Sequence, residues 1–297
     1  MKRHVHFLAT NIAVLLVLGI VTNILCAVAG TSVAELIGHQ YADLAIFAFV
    51  YGVIGAFISL LLSKPIAKFS CGAQTIDGTE GEAERWLVAT VEDLARRANI
   101  KTPEVAIYHG GANAFATGAF RNSALVAVSD SIMAQMTKEE LRAVLGHEVS
   151  HIANGDMVTL TLIQGVLNAF VLFFSRVIAS ILANAGNGER RRSNGGIYFL
   201  TVMVLQVVLG ILASLIVFWY SRKREYAADA GSAHLLGSPS PMIAALRRLG
   251  NLQPGTLPDS LKAMGITEGS RTSLWSTHPA LDDRIAALQN LPPTFSA

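Results

Sequence analysis

Charge is scarce in this chain. Of its 297 residues only 15% are Asp, Glu, Lys or Arg, while 52% are hydrophobic, and the formal net charge is +2. Ordinary soluble domains carry roughly a quarter charged residues, so the composition excludes a purely soluble enzyme. The mean hydropathy of +0.46 agrees. No basic run interleaves with aromatic residues, which removes nucleic acid from the expected partners. Cysteine is almost absent. Cys26 lies in an apolar stretch and Cys71 in a polar one. That excludes a disulfide framework, and neither thiol is near enough in sequence to the histidine motif below to be expected as a ligand.

What the chain has instead is long uncharged runs. After a short basic start (Lys2, Arg3), residues 7–30 contain no charge, and residues 44–63 form a second such run closed by Lys64-Pro65 and Lys68. Each is long enough to cross a hydrocarbon core as a helix, which takes about 20 residues. The first run is too long for the ~7–15 residues of a signal-peptide core. Two more runs follow at about 158–182 and 197–221, the last closed by Arg222-Lys223-Arg224. The expected organisation is a membrane hairpin over 1–63, a segment of soluble character over 64–157, a second hairpin over 158–221 and a further segment of soluble character over 222–297. The excess of Lys and Arg places the N-terminus and the residues after Ser63 on the cytoplasmic side. Arg190, Arg191 and Arg192 conflict with that rule if the second hairpin crosses, whereas a shallow hairpin would keep them inside. Crossing is the preferred reading, and it too returns Arg222-Lys223-Arg224 to the cytoplasm.

Between the hairpins the pattern turns to that of a soluble domain. Residues 82–98 read as an amphipathic helix with Trp86, Leu87, Val91, Leu94 and Ala95 on one side. Residues 104–108, 113–118 and 124–128 read as short strands, the last two joined by a turn near Arg121-Asn122. A helix then opens at Thr137, with Glu140 three residues on in a capping-box pattern. This helix carries His147-Glu148-Val149-Ser150-His151. Two histidines one turn apart on one face can reach the same metal ion, and Glu148 points elsewhere, free for proton transfer. A catalytic zinc needs a third protein ligand and an open position. The continuation that would supply a third histidine fails, because Asn154 and Met157 occupy its positions. The alternative is an acid on another helix. Glu225 and Asp229, one turn apart, meet that need, one to bind metal and the other to orient a ligand histidine.

HEVSHIANGD followed by RKREYAADAGSAHLLG beyond two apolar runs resembles the HtpX family of membrane zinc metallopeptidases. It is similar, more distantly, to the CAAX prenyl proteases. NAFATG ahead of the motif helix and STHPALDDRI near the end extend the likeness over nearly the whole chain. The resemblance implies an α-helical membrane protein with an α+β, gluzincin-like catalytic domain in which a small β-sheet lies beside the HExxH helix. It implies one Zn2+ per chain held by His147, His151 and Glu225, with Glu148 as acid/base. It also implies that Asn113 holds substrate backbone, that His278 stabilises the transition state, and that Asp229 and Arg284 support the ligands from behind. The implied activity is endoproteolysis of misfolded or damaged membrane proteins under stress. The implied setting is the bacterial inner membrane with a cytoplasmic catalytic domain, and the implied partners are unfolded substrates, the bilayer and other membrane proteases in complexes. His4, His6, His39, His109 and His234 have no partner at ligand spacing and read as structural.

Two other functions fit the same motif. A CAAX-type processing protease would share the chemistry on a narrow lipidated substrate. A metal transporter or sensor would be expected to carry ionisable groups within its spans. Here only Arg176 does so, near one end of the third run.

Overall fold

The computed structural model describes residues 40–184, 195–252 and 278–292. The expected first span, 7–30, and the arginine cluster 190–192 lie outside the described residues, as does Cys26. Twelve elements follow in chain order. Helix α1 is Gln40–Cys71, strand β1 Gln74–Ile76, helix α2 Glu82–Arg97, and strands β2, β3 and β4 are Glu104–Tyr108, Ala114–Thr117 and Leu125–Ser129. The helices after them are α3 (Asp130–Gln135), α4 (Lys138–Asn154), α5 (Asp156–Asn184), α6 (Gly195–Leu236), α7 (Ser240–Asn251) and α8 (Leu281–Gln289). The fold is therefore helical with one small mixed sheet, as expected.

Three helices among the described residues are long and apolar enough to cross a membrane: Leu44–Cys71, Asp156–Ser180 and Gly195–Leu236. Two of them outrun their sequence bounds. Helix α1 continues through Lys64-Pro65 to Cys71, and α6 continues through Arg222-Lys223-Arg224 to Leu236. Lys and Arg are good helix formers, so a charged run marks where an apolar surface stops without ending the helix. The end of α1 is also tied down, since Lys64 and Lys68 each place Nζ 2.6 Å from a carboxylate oxygen of Glu104.

The described residues fall into two compact units. One comprises those of 40–59 and 161–217 and the other those of 60–160 and 218–292. In the first, α1 meets α5 through small residues. A Cβ on Gly52 would lie 2.6 Å from the Gly165 carbonyl oxygen and 2.7 Å from the Ala169 nitrogen. Lipid is as apolar as a leucine side chain, so close backbone packing of this kind does much of what hydrophobic burial does in water. Beyond the crossing, Ala48, Tyr51 and Leu172 bury one another with Phe47 and Phe173 packed against them.

The second unit holds the sheet, in the order β1-β2-β4-β3. β2 and β4 run parallel, and the outer pairs β1/β2 and β3/β4 are antiparallel. β3 is thus an edge strand. Alternation sorts the faces. Ala114, Ala116, Val126 and Val128 point into the main core, where Leu87, Val91 and Leu94 of α2 meet Val144, Leu145, Val149 and Ile152 of α4 and Met242 and Leu246 of α7. Ala106, Tyr108, Phe115, Leu125 and Ala127 form the other face, covered by Ala67 of α1 with Cys71 and Ala73. β1 was not read from the sequence, being three residues with little burial pattern.

Candidate metal centre

Helix α4 is set at both ends. Thr137 Oγ1 accepts the Glu140 amide at 3.2 Å, and the Glu140 carboxylate accepts the Thr137 amide at 2.9 Å. Gly155 ends the helix in the left-handed region, at φ 68°, where a side chain would be strained. The chain therefore turns sharply, and Asp156 opens α5 five residues after His151. Against α4 lies α6, at van der Waals limits. A Cβ on Gly231 would come 2.6 Å from Ser150 Oγ and 2.8 Å from its Cβ, and one on Gly146 would come 2.8 Å from Ser232 Oγ. Ser232 Oγ donates to the Ala143 carbonyl at 2.7 Å across the same contact. Only hydrogen at positions 146 and 231 lets the two helices approach closely enough for Glu225 to reach the histidines.

His147, His151 and Glu225 converge, all three buried. His147 Nε2 and His151 Nε2 are 3.1 Å apart, Glu225 Oε2 is 3.5 Å from the first and Glu225 Oε1 is 3.3 Å from the second. Donors each ~2.0–2.1 Å from a tetrahedral zinc would stand about 3.3 Å from one another. The second nitrogen of each ring faces a carboxylate: His147 Nδ1 is 2.9 Å from Asp229 Oδ1, and His151 Nδ1 is 2.7 Å from Asp156 Oδ2. Each Nδ1–H is thereby the natural donor, which leaves both Nε2 lone pairs aimed at one point. Two lone pairs and a carboxylate facing one another need a cation between them. The donor set fits a metal ion.

Positive charge surrounds the acids. Arg284, fully buried, donates from Nε to Asp229 Oδ2 at 2.8 Å and from Nη2 to Oδ1 at 2.7 Å, and its Nη1 is 3.4 Å from Glu225 Oε2. His278, two residues ahead of the Ala280 cap of α8, puts Nδ1 2.9 Å from Glu225 Oε2. Burial alone would raise the Glu225 carboxyl, but His278, His147 and His151 outweigh it and hold Glu225 well below the usual range. Asp229 follows the same logic, with Arg284 and His147 overcoming its burial and keeping it low. Burial would lower His147, yet Asp229 and Glu225 raise it to about 9. Glu148 shifts the other way. Burial raises its carboxyl, opposed by His147 and His151, as suits a group that must take up a proton.

The Glu148 carboxylate accepts a hydrogen bond from the Ala116 amide on β3. Ser129 N–H donates to the Asn113 carbonyl at the start of the β3/β4 ladder, so the amides of Ala114 and Ala116 point away from β4. Glu148 therefore lies along the free edge of the sheet. Asn113, buried at the head of that edge, is fixed by its neighbours. Its carbonyl accepts Ser129 N–H at 2.9 Å and the Tyr108 hydroxyl at 3.2 Å, and its amide donates to Ser129 Oγ at 3.0 Å.

All eight residues expected at the site fall in the second unit, seven of them in one buried cluster and Asn113 just ahead of the adjoining edge strand. The sequence reading left out Asp156, Ser129 and Tyr108. Asp156 carried a legible signal, since an acid just past a helix-ending glycine can turn back toward the last turn. Tyr108 carried none, as its partner depends on how β2 and β3 lie in the sheet. Of the other histidines that are described, exposed His109 pairs through Nδ1 with Asp130 Oδ2 at 2.6 Å.

Comparison with known proteins agrees. The model of "Peptidase family M48" matches residues 82–291. "Protease HtpX homolog" of Janthinobacterium sp. (strain Marseille) is 52% identical over 292 residues, covering 98% of this chain and 100% of that one. Its namesake in Bordetella avium (strain 197N) is 54% identical over 294 residues, covering 98% and 99%. Among solved structures, the crystal structure of S. mikatae Ste24p matches with a TM-score of 0.56 at 18% identity, over 96% of this chain and 67% of that one, a likeness of fold. The chain belongs to peptidase family M48, as a membrane metalloprotease of the HtpX type.

Proposed function

We propose that this protein is a zinc-dependent endopeptidase of the bacterial inner membrane that degrades misfolded or damaged membrane proteins. In this reading residues 64–157 and 222–297 make the cytoplasmic catalytic domain, and residues 1–63 and 158–221 make its membrane hairpins. The observation that carries it is the convergence of His147, His151 and Glu225, the two Nε2 atoms 3.1 Å apart with Glu225 Oε2 3.5 Å from the first and Oε1 3.3 Å from the second, and Glu148 beside the histidines.

His147, His151 and Glu225 would hold the ion, and zinc supplies the Lewis acidity that brings the pKa of a water from ~16 toward ~7. Glu148 takes the proton from the attacking water as its oxygen adds to the peptide carbonyl, and returns it to the leaving amine as the C–N bond breaks. Its upward-shifted carboxyl favours the first transfer, since a base must hold the proton until the C–N bond breaks. His278 donates a hydrogen bond to the carbonyl oxygen as negative charge gathers there. Asp229 and Asp156 keep His147 and His151 in the tautomer that binds metal, and Arg284 holds Asp229 and Glu225 in place.

The substrate enters as an added strand on β3, with Asn113 holding its backbone at one end. Pairing through main-chain groups reads little of the side chains, which suits a protease acting on many unfolded sequences. The test pairs two substrates: an unfolded protein such as casein and a prenylated peptide ending in a CAAX sequence. Efficient cleavage of casein supports a broad role. Cleavage confined to the prenylated peptide assigns the protein to lipid-tagged processing instead.

A further inference from the structure

The inward face of α5 carries a charge that the proteolytic reading does not use. Gly165, Ala169 and Leu172 lie on this face, against α1, and Arg176 follows them one turn on. Apart from Asp43, it is the only charged residue among the described residues of the first unit. Asp43 lies eight residues before Tyr51 on α1, about 12 Å along the helix axis. No carboxylate among the described side chains pairs with Arg176. Nη1 donates to the Leu172 carbonyl at 3.1 Å, an acceptor that it shares with Ser175 Oγ. A guanidinium has five N–H donors, so one shared carbonyl leaves most of them without an acceptor among the described residues. Its electrostatic neighbours are the phenol groups of Tyr51 on α1 and Tyr198 on α6. Helix bundles keep the charges of their spans where an anion compensates them.

We propose that Arg176, Tyr51 and Tyr198 form a site for the phosphate of an anionic phospholipid headgroup. The level is right for a headgroup. Arg176 is four residues from the end of the Asp156–Ser180 span, and Tyr198 is three residues past the start of the span that opens at Gly195. Arginine and tyrosine at span ends meet lipid at the polar boundary. Arginine grips phosphate through paired N–H donors, and each phenol hydroxyl adds one more. Lipid rather than a soluble anion is indicated by the surroundings. On the same two helices, Phe170 and Phe174 of α5 and Ile197, Phe199 and Leu200 of α6 are each 43–64% exposed, an apolar surface ready for acyl chains.

The test uses the full chain in a neutral detergent, with phosphatidylglycerol, phosphatidylcholine or sodium phosphate added, read by thermal unfolding and by native mass spectrometry of retained lipid. For the wild type, phosphatidylglycerol should raise the melting temperature and remain bound, while phosphatidylcholine and sodium phosphate should do neither. Arg176→Gln should weaken phosphatidylglycerol binding about tenfold or more, the scale of one charge-assisted hydrogen bond. Arg176→Lys should keep part of it. Should Arg176→Gln fail to fold, the double variant Tyr51→Phe/Tyr198→Phe, which keeps the charge, should still show a smaller shift than wild type. Equal responses of wild type and Arg176→Gln to phosphatidylglycerol overturn the proposal, as does an unchanged response in the foldable tyrosine variant. A shift given by sodium phosphate alone overturns the lipid assignment in favour of a soluble anion.

Discussion

Arg284 holds Asp229 by two hydrogen bonds of 2.7 and 2.8 Å, with both side chains buried, and Asp229 in turn sits 2.9 Å from His147. A residue from the last described helix thus reaches the first proposed ligand through a single intermediary. Replacing Arg284 by Met removes the cation that pairs with Asp229 and leaves that buried carboxylate with His147 alone. Breaking a buried pair in this way costs ~3–5 kcal/mol. Arg284→Met should lower the melting temperature sharply and lose bound zinc. Arg284→Lys should rescue stability in part, because a lysine cannot make the paired contacts. Thermal unfolding with zinc analysis checks both.

Asp156 acts on the other histidine. Asp156→Asn keeps the shape and removes the charge that orients His151 Nδ1–H at 2.7 Å. Losses of 10–100-fold in metal affinity are usual for such partners. Competition against a chromophoric chelator should find zinc affinity reduced on about that scale, with the melting temperature of the metal-free protein nearly unchanged.

The close approach of α4 and α6 gives a purely steric prediction. In Gly231→Ala the new Cβ would stand 2.8 Å from Ser150 Cβ, a contact that no rotation of the serine relieves. Forcing extra atoms into a packed contact costs ~1–3 kcal/mol. The helices must part, and Glu225 moves away from the histidines. Reduced stability together with weakened zinc binding is expected, whereas Gly210→Ala, with no atom of the described residues within 4 Å of its Cβ, should weaken neither.

Metal removal should give a distinctive pH response. In the metal-free site His147 is raised from 6.5 to about 9 by Asp229 and Glu225, against the effect of burial. A folded pKa above the unfolded one adds stability that is complete below the unfolded value and lost as pH rises through the folded one. The chelated protein should therefore lose stability between about pH 6.5 and pH 9, a trend that zinc-loaded protein lacks. Over the same window zinc must displace a proton, so its affinity should climb with pH and level off above about 9. Calorimetry in buffers of different ionisation enthalpy reads the released proton directly.

Much of this centre is legible in the sequence, for local reasons. The capping box at Thr137 and Glu140, the apolar spacing after it and the paired histidines are all properties of one helix. Glu225 and Asp229 were visible as a pair one turn apart, but spacing alone could not say which binds metal. Asp229 faces the outer nitrogen of His147 because α6 crosses α4 at Gly146 and Gly231, a tertiary fact. Helices α1 and α6 run on past their apolar runs, because a change from apolar to charged residues does not break a helix that both kinds suit. Tyr108 was hidden because its partner Asn113 is brought to it by strand order, which short strands do not announce.

The most direct test of the account is Glu148→Gln, purified in detergent beside the wild type with zinc restored, and assayed for zinc content and casein cleavage. Glutamine keeps the size of the side chain and cannot accept the proton from water. The account predicts one zinc per chain in both proteins and cleavage by the wild type alone. A Glu148→Gln protein that binds zinc and still cleaves casein would contradict it, because the proton would then have to be taken by another group.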